Sequence, residues 1–401
     1  MEKIVVNEDE EIELTKVEGD LEVLDGATIN VPSDIETLQI GGDLVCNGDV
    51  IINGSVQANK IKHRNGYLEI EGDVKVKEVH VLSSRMRNGS KLLILGNLES
   101  EKAEIDGGLE IEKNFSCDEV KIMGGCKVRG EATITVYRVS GGAKHGMKLH
   151  AKEVDVDGAL KADDDVFIEE EFEISGSAKI AGTLESPEIE VGGSLVCSNL
   201  VTKKIEIGGS TKVNSAEITE KLNVSGSFKC NDQLFAPKVS CNGACKIGDD
   251  SEVQYLSING STSIGSNFKF DDIKLNGSLS LENNAYGGTL LINGSCSADG
   301  LLQLKESLTI SGSFNGDKIE AEEITISGSL SCDEAKSVTI TVESNSRVNA
   351  TLIAEKVIVE EEARVDNIIA DEVELGARAR VLKVQAKELN ADPTAKYKLA
   401  E

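Results

Sequence analysis

The sequence predicts an all-β fold, a single-stranded parallel β-solenoid (β-helix) of roughly 20 coils with about 17 residues per coil. Three observations carry this. A glycine phrase returns at a fixed period, apolar residues alternate around it, and aromatic residues and prolines are scarce.

The phrase reads ISGSA at Ile174–Ala178, VSGSF at Val224–Phe228, INGST at Ile258–Thr262, LNGSL at Leu275–Leu279 and ISGSL at Ile326–Leu330. From Gly107 to Gly328 its glycine occurs fourteen times, at intervals of 16, 17 or 18 residues. Mostly apolar residues stand four before, two before and two after each glycine, a period of two that marks strands with one buried face. The glycine is expected at a tight corner or bulge, where φ is positive or the backbone bends. Seventeen residues are too few for a helix-containing repeat and suit about three short strands per coil. Inward positions follow steps of 2, 4 and 2, then a gap of about nine. Four buried aliphatics at about 1.5–3 kcal/mol each cannot offset the chain entropy of one coil, but a stack can.

Along the chain, residues 1–38 read as an N-terminal cap with irregular first coils, since Pro32 interrupts the pattern. Residues 39–332 form the regular glycine-phrase helix. Gly54 and Gly72 carry the full pattern, and Gly42 repeats the phrase within one coil. Residues 333–390 lack the glycine but keep phase, with Val348, Val365 and Val381 expected on one ladder. Residues 391–401, with Pro393, read as a cap or tail. The unbroken period predicts one elongated body, about 95 Å long at roughly 4.8 Å per coil.

The 401 residues carry a net charge of −28, which argues against nucleic-acid binding and makes the sides of such a body repel one another. Two basic stretches depart from this. Lys60, Lys62, His63 and Arg64 form one, and Arg85, Arg87 and Lys91 the other. Both are read as solvated loops, with docking of an acidic partner or surface as the functional alternative. No apolar run is long enough for a transmembrane helix, and the first residues do not form a signal peptide. Peripheral membrane contact is left open.

No chemistry emerges. Eight of nine cysteines fall on apolar stripes, and Cys117 lies outside them. Unpaired core thiols fit a reducing compartment. His145 takes an inward position in a coil expected to bulge. The acids of Asp163–Ile174 lack a calcium-repeat pattern. No catalytic, metal or cofactor residue is assigned, and the chain is read as non-enzymatic with no cofactor. Carbohydrate-active β-helix enzymes need long loops that are missing here, and the gap of nine separates the chain from the hexapeptide acyltransferases.

The recurring ISGS, INGS and IGGS phrases resemble those of the bactofilins, the polymer-forming cytoskeletal proteins, over roughly Leu38–Leu389. The chain is longer than a usual bactofilin core, and Met1–Leu14 has no match to the family's membrane-targeting segments. The resemblance implies a right-handed, three-sided β-helix, nucleotide-independent self-assembly and a cytoplasmic scaffold role. The expected partner is therefore the chain itself. Self-association would run end to end through aliphatic layers at Leu14, Val17, Leu21 and Val23, and at Val373, Leu375, Val381 and Val384. The alternative is a monomeric, capped β-helix rod that docks a protein partner.

Overall fold

The computed structural model describes residues 3–82 and 89–400, which form 44 strands and no helix. The strands pair in parallel as a β-solenoid of about 22 turns, some 17 residues apart. The chain divides into two compact units, Met1–Thr202 and Lys203–Glu401.

In the first unit, regular coils begin at Ile4 rather than after a cap. Strands Ile4–Val6, Glu11–Glu13 and Lys16–Val17 pair in turn with Leu21–Val23, Thr28–Asn30 and Thr37–Ile40. Those pair with Asp43–Asn47, Val50–Asn53 and Ser55–Arg64. From Ser55 onward one long strand serves two faces. In Val74–Val81, Val74, Val76, Val79 and Val81 are buried, and the neighbours Lys77 and Glu78 both point outward. Two outward residues in succession mark the bend, because strict alternation would bury one of them.

The break expected between Val81 and Leu92 is an insertion. Val74 pairs with Leu98, 24 residues on, whereas Leu98 pairs with Phe115 after 17. Arg85 and Arg87 lie outside the described residues. The insertion also moves the glycine phrase to a different corner. Gly54, Gly72 and Gly96 precede the ladder of Val56, Val74 and Leu98, whereas Gly107 precedes that of Leu68, Leu92 and Leu109.

The apparent gap of nine is filled. Around Gly260 the buried residues are Leu256 and Ile258, Thr262 and Ile264, then Phe268 and Phe270. Around Gly107 the third pair is Phe115 and Cys117. Each such coil has six inward positions instead of four, and Cys117 joins the other eight cysteines on a ladder. Inward positions recur at six-residue steps within a coil, so spacing does not separate the chain from hexapeptide solenoids. The coil is simply one residue short of three hexapeptides.

The phrase glycines are not at positive φ, with the exception of Gly54. What demands glycine is the next coil. A Cβ added to Gly124 would lie 2.1 Å from the carbonyl oxygen of Gly107, and one on Gly260 would lie 2.0 Å from that of Gly243. His145 causes no bulge, because Val128, His145 and Ala162 pair in unbroken register.

The second unit ends in four long strands, Ser329–Val342, Arg347–Val359, Arg364–Leu375 and Arg380–Ala391. Val348, Val365 and Val381 stack on one ladder below Leu330, as their phase predicts.

Candidate interaction surfaces

Two regions could present backbone or apolar surface to a partner, the first coil and the last. In the first coil, Ile4, Ile12 and Leu14 are half-buried, and no strand covers them on the outer side among the described residues. Ile4 N–H donates to Asp20 O and Val6 O accepts from Leu24 N–H, so the N–H and C=O of Val5 point to the uncovered side. Leu21 and Val23 are not in this layer. They sit between Ile4 and Leu44 and between Val6 and Cys46, wholly buried. Val17 is buried too, at the edge of the same first coil.

At the other terminus Val373 and Leu375 are likewise internal, covered by Leu389 and Ala391 of the last strand. Val381 and Val384 belong to the last strand but are buried, because the tail crosses it. Val381 N–H donates to Lys396 O, Lys396 N–H to Ala379 O, and Val384 N–H to Lys398 O, each at 2.8 Å. The tail is thus a partial further coil, and Arg380 and Val384 bridge to Lys396 and Leu399. It leaves Glu388–Ala391 without a following strand among the described residues.

The basic residues do not form a free patch. Lys60 and Lys62 lie within the strand Ser55–Arg64 and not in a loop. Lys60 pairs with Glu78, Lys62 with Asp43 at 3.0 Å, and Lys91 with Glu110 at 2.8 Å. Lys91 also lies 5.6 Å from the centre of the Tyr67 ring. His63 is no surface residue. It takes the inward position between Cys46 and Val81, wholly buried, and its Nε2 bonds Gly66 O at 3.0 Å. Arg64 alone of the described group is exposed without an ion pair.

The solenoid interior holds one polar pair. Tyr137 Oη and His145 Nε2 lie 2.9 Å apart, both wholly buried, with rings edge to face. His145 Nδ1 has no partner, and burial lowers the His145 pKa to about 4. Burial likewise pushes the thiols of Cys126, Cys230, Cys296 and Cys332 up to about 12. All nine cysteines are buried and free. Cys241 and Cys245 flank the Gly243 corner, and a hydrogen bond from Cys245 eases ionisation of Cys241 while raising its own pKa. Among the described residues, no group of His, Cys, Asp and Glu is arranged to hold a metal, and no helix is long and apolar enough to cross a membrane.

A further surface is legible in the period but only when read outward. Lys127, Lys144, Lys161 and Lys179 each stand three residues after a phrase glycine and stack in register on one face of the first unit. Reading positions for burial alone passes over them.

Compared with family models, curated proteins and solved structures, the chain matches none.

Proposed function

We propose that the protein is a non-enzymatic, bactofilin-like scaffold that associates end to end without nucleotide or cofactor. The observation that supports this most is the first coil, whose three strands pair on one side only. An uncovered parallel edge above half-buried Ile4, Ile12 and Leu14 is a template for another strand. The half-strand Glu388–Ala391 is its counterpart in the last coil. Stacking one on the other would repeat the contacts that already join successive coils. The contact is backbone pairing plus apolar cover, so screening by salt leaves it in place.

The tail favours a second reading, a capped monomer that docks another protein. Residues 392–400 already bond across part of the last coil and would limit stacking there. Electron microscopy of the full chain and of a chain ending at Ala391 separates the two. End-to-end particles that lengthen on tail removal support the scaffold. Single particles in both samples at high concentration overturn it.

A further inference from the structure

The unit Met1–Thr202 carries two unlike charged rows on strands that meet at the glycine corners. The lysine row is Lys127, Lys144, Lys161 and Lys179, one residue per coil. On the strands before the corner, Asp155, Glu173 and Glu190 stack in register, and Glu153, Glu171 and Glu188 stack beside them.

The two rows differ in how well they are satisfied. Lys127 bonds Glu110, and Lys144 and Lys161 share Asp163, at 3.1 and 2.9 Å. Lys179 is exposed and makes no ion pair. The six stacked acids make none either, and like charges at one-coil spacing destabilise one another. The carboxyls of Asp155 and Glu173 are held above the usual range, first by loss of water and then by neighbouring acids. The lysine row also borders a shallow trough. Its floor includes Gly125 and Gly142, where an added Cβ would meet nothing within 4 Å.

We propose that these two faces bind each other between copies of the chain, the lysine row of one molecule lying along the acid rows of a second. Both rows repeat once per coil, about 4.8 Å, so every lysine can meet a carboxylate without either row stretching. Other polyanions lack this match. Phosphates along one DNA strand recur at about 3.4 Å, and the chain's −28 charge repels an acidic polymer outside this face. The low glycine floor lets a neighbour's carboxylates approach the ammonium groups closely. Two different faces meet, so the contact is heterologous and builds a ring or an open side-by-side array.

The test is sedimentation of the full chain in about 20 mM and about 500 mM salt, which shortens the screening length from about 20 Å to about 4 Å. The expected result is a side-by-side species at low salt that disperses at high salt. The variant K144E/K161E/K179E and the variant D155K/E173K/E190K should each lose it, with association at least about tenfold weaker. Mixed one to one, they should re-associate, because each supplies the face the other lacks. Survival of the low-salt species in either variant overturns the proposal. So does failure of the mixture to re-associate, or lysine-dependent binding to anionic vesicles or duplex DNA by a chain that does not self-associate. End stacking is insensitive to salt, so either mode of association can fail without the other.

Discussion

The corner marked by the glycine phrase is built in two ways, and the contrast explains where glycine is needed. In the coils up to Gly328, two residues link the inward pair to the next strand, as Ser327 and Gly328 do between Ile326 and Ser329. So short a link brings successive corners into contact, and a Cβ on Gly328 would lie 2.1 Å from Gly312 O. In the last coils the same corner takes four residues, Glu343–Ser346 between Val342 and Arg347. Its turn is made by left-handed residues, Asn345 at φ 66°, Glu362 at 60° and Arg378 at 57°. The longer link tolerates side chains and needs φ > 0 instead. Glycine in the phrase is thus reserved by the neighbouring coil and not by the turn's own dihedral angles.

The largest effect should come from charge placed inside a coil. Ile258→Asp buries an unpaired carboxylate and should cost on the order of 4 kcal/mol or more, whereas Ser261→Asp, exposed on the adjacent strand, should be near neutral. Equal melting temperatures would break the register. Next comes the sharpest form of the comparison, at two adjacent glycines. Gly124→Ala drives a Cβ into Gly107 O and should cost about 2–4 kcal/mol, while Gly125→Ala meets open space and should cost almost nothing. Denaturant midpoints of the two variants decide it, and similar losses would show that turn geometry sets the glycine.

A smaller effect of similar origin depends on pH. The pKa of His145 is about 4 when folded and about 6.5 when unfolded, so the unfolded chain binds more protons between these values. Stability is therefore full above pH 6.5 and is lost as pH falls toward 4, by about 3 kcal/mol from this residue. The double variant Tyr137→Phe/His145→Val should show a flatter fall between pH 7 and pH 4 in urea titrations. An unchanged slope would place the proton elsewhere. The smallest change belongs to the lengthened corner. Glu362→Gly should stabilise the fold by up to about 1 kcal/mol, since the left-handed conformation penalises a Cβ.

Two of the three inward pairs were legible in the sequence because their occupants are uniformly apolar and flank a marker. The third was not, because its members trade volume between coils. Gly287 follows Phe270 on its ladder, and a Cβ there would lie 2.2 Å from the ring. Phe115 with Cys117, Leu184 with Ser186, and Phe268 with Phe270 leave no single stripe to read. His63 was hidden for the same reason, an inward slot inside a basic stretch. The end layers were misplaced by one coil because register against the first strand depends on Ile4–Val6, a segment too short to carry a phrase. Only pairing reveals that Leu21 and Val23 are already covered.

The most direct test of end-to-end association is sedimentation of the full chain beside Val5→Pro and a chain ending at Ala391, all at about 150 mM salt. Proline at Val5 removes an N–H that faces the uncovered side and leaves the ladder to Leu21–Val23 intact. The expected outcome is concentration-dependent association of the full chain, stronger association after tail removal, and a monomer for Val5→Pro with an unchanged melting temperature. Association that persists undiminished in Val5→Pro, or a strict monomer in all three, would contradict it.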